Sequence, residues 1–171
     1  TLGYDKFYSK VDYDIDEVIG LGISDKSFFR QSIEKIKEID AEYDKFYGTV
    51  IMLTNHTPFS DTDKYGEFDV SLKETVYNDV TGQYEEVTYP YMEGTKLGNY
   101  LKSVHYADSA LGEFIQGLDE AGILDDTVIV LYGDHDARLA KDEFRRLYNY
   151  DKKTDGILPD TTPGYIEFNS Y

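Results

Sequence analysis

The chain has 171 residues, enough for one domain with its own core, and a second domain is not required. Its 34 acidic residues outnumber 17 basic ones, and the net charge of −17 excludes recognition of nucleic acid or anionic membrane through a basic surface. Cysteine is absent, which excludes disulfides and thiolate-held metals and leaves the compartment open.

Residues 1–23 mix tyrosine and phenylalanine with aspartate and read as an irregular opening segment. The chain starts Thr1-Leu2-Gly3-Tyr4 without an initiator methionine, and we expect an excised piece of something larger. Ser24 then offers an N-cap, and Phe28, Phe29, Ile33, Ile36 and Ile39 follow at helical spacing, predicting a helix over Asp25 to Glu42. A core strand is expected from Gly48 to Thr54. Residues 67–91 alternate more loosely around a Tyr77-to-Gly82 turn region and read as a surface hairpin or an acidic insertion.

A long helix is predicted from about Glu93 to Ala121, with a stripe of Leu97, Tyr100, Leu101, Val104, Leu111, Phe114, Ile115 and Leu118. Asp108 falls within that stripe, where a buried carboxylate needs a partner, as a structural group or a ligand. His105 sits beside it as a boundary or core histidine. Gly122 supplies a left-handed cap. A short helix is expected over Lys141 to Tyr148, and residues 149–171 form a turn-rich tail that needs neighbours to hold it. The longest apolar runs, Val50 to Leu53 and Val128 to Tyr132, fall far short of the ~20 residues of a membrane-spanning helix.

Two of these stretches share a construction. Thr49-Val-Ile-Met-Leu-Thr-Asn-His56 and Thr127-Val-Ile-Val-Leu-Tyr-Gly-Asp-His135 are apolar runs that end on histidine. Such runs read as buried strands of a parallel sheet, with a crossover helix between them. Open α/β sheets bind ligands just past the carboxyl ends of their strands. If the two runs are neighbours, His56, Asp134 and His135 emerge on one edge, and a carboxylate with an imidazole suits a divalent metal. The same Asp-His pair also occurs as a turn in which the aspartate caps a following helix, and His56 can equally be a loop residue. Arg138 can grip an anionic substrate or pair with Asp136 or Asp142.

Three segments carry a family resemblance: Gly20-Leu-Gly-Ile-Ser-Asp-Lys-Ser-Phe-Phe29, Leu53-Thr-Asn-His-Thr-Pro-Phe-Ser60, and Ser103 to Leu111 together with Gly122 to His135. They resemble the extracellular catalytic domain of the lipoteichoic acid synthase family, a branch of the sulfatase and alkaline phosphatase superfamily. Asp136 stands where the wider superfamily has glycine and resembles a subgroup reading Gly-Asp-His-Asp-Ala-Arg. The resemblance implies an α/β, alkaline-phosphatase-like sandwich with a mainly parallel sheet flanked by helices, here as a single partial domain over residues 1–171.

It further implies a phosphotransferase that moves glycerol phosphate from phosphatidylglycerol to a growing glycerol-phosphate polymer. That places the chain on the outer face of a Gram-positive cell membrane, anchored only through helices lying outside this sequence. Asp134 and His135 match the metal pair, with Mn2+ expected and Mg2+, Zn2+ or Ca2+ as alternatives. His56 matches the active-site histidine that contacts the phosphoryl group, and Arg138 joins it as a substrate-binding candidate. The family's threonine nucleophile, glutamate ligand and a further histidine lie upstream of the segment resembling Leu2-Gly3-Tyr4, so no nucleophile is assigned and the chain alone is expected to be inactive. Sulfate- or phosphate-ester hydrolysis, phosphoethanolamine transfer on the same scaffold, and a non-catalytic cell-surface binding module stand as alternatives.

Overall fold

Local chemistry places the helices. In the computed structural model, which describes residues 3–167, the elements run β1 (Val18–Ile19), β2 (Gly22–Ile23), α1 (Asp25–Glu42), β3 (Leu72–Asn78), β4 (Gln83–Tyr89), α2 (Lys96–Glu120), α3 (Lys141–Tyr148), β5 (Tyr150–Asp151) and β6 (Gly156–Ile157). Ser24 caps α1 as expected, its Oγ accepting the Ser27 N–H at 3.2 Å. Gly122, at φ +72°, ends α2, and the backbone N–H of Ile123 returns to the Leu118 carbonyl.

The chain divides into two compact units. One comprises Thr1–His56 and Val104–Asp134, the other Thr57–Ser103 and His135–Tyr171. In the first, α1 packs on the part of α2 beyond Val104. Phe29 stacks on Phe114 with ring centroids 4.5 Å apart, and Lys26 pairs with Glu113 at 2.6 Å. The short β1–β2 hairpin turns at Gly20 (φ +63°) and buries Ile19 completely.

The second unit gathers around Val70, Met92 and Leu97, with Tyr100, Leu101, Leu139, Phe144 and Leu147 against them. Glu143 Oε2 accepts the Leu97 N–H at 2.9 Å, placing a carboxylate at the amino end of α2, where the helix dipole favours it. Buried Asn149 exchanges two hydrogen bonds with the backbone of Ile166 and so holds the tail. Strands β3 and β4 form an antiparallel hairpin with Leu72 opposite Tyr89 and Asn78 opposite Gln83. At its base Asp69 pairs with Lys73, which holds the Asp69 carboxyl well below the usual range.

Two sequence expectations are corrected. Among the described residues every sheet is two-stranded and antiparallel, and neither 48–54 nor 127–132 is paired in one. Instead Ile51, Val128, Val130, Leu131 and Tyr132 stand 71, 89, 75, 68 and 72 % exposed. A strand exists only where a second one offers it hydrogen bonds, and neither run finds a partner here.

The second correction concerns α2, whose buried face runs through Ser103, Tyr106, Ala107, Ala110, Phe114 and Leu118. That face is rotated from the predicted stripe, so Asp108 and His105 are exposed.

Three glycines of α2 make a graded test. A Cβ at Gly98 would lie 2.0 Å from the Met92 carbonyl oxygen, and one at Gly117 would meet only the tip of Ile33, at 2.2 Å. At Gly112 it would meet nothing within 4 Å. In chemical denaturation we expect Gly112→Ala to stabilise by about 0.5–1 kcal/mol. Gly98→Ala should destabilise by about 1–3 kcal/mol or more, because a backbone carbonyl cannot step aside. Gly117→Ala should fall between them. An equal effect at Gly98 and Gly112 would refute this packing.

Candidate functional site

The first motif hangs from a turn. The backbone N–H of His56 donates to the Leu53 carbonyl at 3.1 Å, and the imidazole is half-buried. Upstream of it, the carboxyl of Asp25 on the first turn of α1 takes the Leu53 and Thr54 N–H groups on Oδ1, at 2.8 and 3.2 Å. The Asp25 N–H returns to Thr54 Oγ1 at 2.8 Å. Asp25 and Thr54 are 1 and 0 % exposed. Burial pushes the Asp25 carboxyl up from its ordinary value, against the pull of the two N–H donors. Sequence reasoning took Asp25 only as the opening of a helix. A short acid directly after an N-cap serine was the available signal, but its partners lie 28 and 29 residues away.

The same motif continues in the other unit through a cis Thr57–Pro58 bond to Phe59, which is 1 % exposed and packs on Tyr100 with centroids 5.2 Å apart. Phe59 sits at φ +60°, a conformation that costs a bulky residue about 1–3 kcal/mol and collects at functional places. Arg138 shows the same left-handed backbone, at φ +50°. Its carbonyl accepts from Lys96 Nζ at 3.3 Å, and its side chain lies on an exposed residue. Each of the two motifs thus carries one strained non-glycine residue.

Asp134 and His135 are both exposed. His135 Nδ1 lies 2.6 Å from the Asp136 carbonyl oxygen. A carbonyl only accepts, so Nδ1 is the donor in this contact, which is of the kind that orients metal-binding imidazoles. The donor types therefore suit a divalent cation, although no group of three or more histidine, aspartate or glutamate side chains able to hold one is assembled among the described residues. The parallel pairing expected to bring His56, Asp134 and His135 to a shared sheet edge is not formed.

The sulfatase family model matches residues 1–159. The chain belongs to the sulfatase family. Within it, the chain is 37 % identical over 136 residues to lipoteichoic acid synthase 1 of Bacillus subtilis (strain 168), covering 78 % of this chain and 18 % of that protein. It is 33 % identical over 136 residues to the lipoteichoic acid synthase of Staphylococcus aureus (strain USA300), with the same coverage. The crystal structure of the lipoteichoic acid synthase LtaP from Listeria monocytogenes superposes with a TM-score of 0.64 at 32 % identity, over 91 % of this chain and 36 % of that one. This sulfatase chain thus has the alkaline-phosphatase-like fold of its neighbour, as the sequence motifs implied, while spanning less than a fifth of the length of its curated relatives.

Proposed function

We propose that the chain is part of a divalent-metal-dependent phosphoglycerol transferase that acts on phosphatidylglycerol at the outer face of a Gram-positive cell membrane and extends a glycerol-phosphate polymer. The observation that carries this reading is the likeness to lipoteichoic acid synthases in both sequence and structure, at 32–37 % identity. The Asp134 carboxylate and His135 Nε2 would hold the cation, Mn2+ by the family resemblance. A divalent ion there supplies Lewis-acid neutralisation of the charge that builds at phosphorus. His56, half-buried and fixed through its backbone, contacts the phosphoryl group and carries a proton to or from the oxygen that leaves or enters. Arg138 offers a planar guanidinium to the anionic head group.

No threonine of this chain matches a nucleophile motif, and we assign the nucleophile and the remaining ligands to sequence outside these 171 residues. The exposed apolar run 127–132 supports the same conclusion, since it has the composition of a central strand and the exposure of none. The chain alone is then inactive. Among the described residues no helix is long and apolar enough to cross a membrane, and anchoring too would come from elsewhere in the protein.

The family match itself favours a second reading, hydrolysis of sulfate or phosphate esters. Turnover by the intact protein with Mn2+ separates the two. Release of diacylglycerol from phosphatidylglycerol, with aryl sulfate left untouched, is the expected result. Aryl sulfate cleavage without diacylglycerol release would replace the transferase with a sulfatase.

A further inference from the structure

We infer that Asp25 is the residue that positions His56, through a reciprocal clamp with Leu53 and Thr54. The inference rests on the role proposed for His56. The clamp has three hydrogen bonds and joins the amino end of α1 to the chain just before the histidine. Asp25 Oδ1 gathers the Leu53 and Thr54 N–H groups, and Thr54 Oγ1 takes the Asp25 N–H. Leu53 is then held at both ends, because its carbonyl accepts from the His56 N–H. Behind the clamp, Gly22 leaves room for Leu53, whose Cδ2 would stand 3.1 Å from any Cβ added there.

What distinguishes this from ordinary helix capping is the cost that is tolerated. Ser24 already caps α1, so the helix has no need of a second acceptor. Asp25 is nevertheless 1 % exposed, and its second oxygen, Oδ2, is buried with no hydrogen-bond partner among the described residues. Burying a carboxyl is unfavourable, and the two backbone N–H groups it accepts here offset part of that cost. The geometry it fixes here is two successive backbone amides immediately before the His56 turn. A catalytic side chain displaced by ~1 Å loses about 10²-fold in rate, so a clamp on the backbone that carries it has a functional consequence.

The test uses the intact protein with phosphatidylglycerol, in the variants Asp25→Ala, Asp25→Asn, Thr54→Val and Thr54→Ser. Asparagine keeps an oxygen that can accept both amides, and serine keeps the Oγ acceptor. Asp25→Ala should lower kcat about 10- to 100-fold with KM within about twofold. Hydrogen exchange should quicken at the 53–56 amides, and Asp25→Asn should restore both properties. Thr54→Val should repeat the loss in milder form and Thr54→Ser should reverse it, which serves as the readout if Asp25→Ala does not fold.

Unchanged kcat and exchange in Asp25→Ala and Thr54→Val would overturn the inference. So would losses spread across the protein that Asn and Ser do not restore, since these mark a merely structural group. His56→Ala is assayed alongside. If it leaves kcat intact, the catalytic role of His56 falls, whereas the exchange data still report whether Asp25 sets the 53–56 backbone.

Discussion

Alanine at Asp134 or at His135 is expected to abolish Mn2+-dependent turnover in the intact protein while leaving its metal-free thermal unfolding almost unchanged. Both side chains are polar and follow the 127–132 run instead of belonging to it, so neither supplies apolar packing. Their loss removes a ligand, and even residues that merely support a ligand cost 10- to 100-fold in metal affinity or activity, so a fall of more than about 100-fold is expected here. His135→Ala also removes the Nδ1–H bond to the Asp136 carbonyl, the contact that orients the ring. Isothermal titration with Mn2+ should show weakened binding in parallel with lost activity. His56→Ala should behave differently, losing about 10²- to 10⁴-fold in kcat with metal affinity retained. Turnover within about tenfold of wild type in Asp134→Ala, or 1.4 kcal/mol of barrier, would remove the metal role from this pair.

Val130→Asp should be nearly neutral in the 171-residue chain and severely destabilising in the longer protein to which we assign it. In this chain Val130 is 75 % exposed, and a surface substitution of that kind stays within about 0.5 kcal/mol. If 127–132 becomes a central strand, the same substitution places a carboxylate in an apolar interior. The cost should then exceed about 4 kcal/mol, or abolish folding. Burying a side chain such as Val128, Val130 or Leu131 is worth about 1.5–3 kcal/mol, an upper estimate because unfolded chains already cover part of that surface. The isolated chain should accordingly bind a hydrophobic dye and unfold over a broad range, and the longer protein should do neither. Equal costs of Val130→Asp in the two contexts would show that the run stays at the surface, and the proposal of a larger domain would fail.

The elements legible in the amino-acid order are those whose causes are local. Ser24 ahead of an apolar stripe marks α1, Gly122 marks the end of α2, and both depend on hydrogen bonds within about five residues. The motifs Thr-Asn-His-Thr-Pro-Phe and Gly-Asp-His-Asp-Ala-Arg were likewise readable, and they pointed to a branch of the sulfatase family, to which the chain belongs. The two apolar runs were equally visible, but a run becomes a strand only beside another strand, and that partner is a tertiary matter. Asp108 was misplaced because successive residues of a helix advance by only 100°, and the choice between adjacent faces falls to whatever packs against it. The clamp at Asp25 was decided by tertiary structure alone. Its aspartate and its amides stand 28 and 29 residues apart, and only the packing that brings them together makes one oxygen answer for the place of His56.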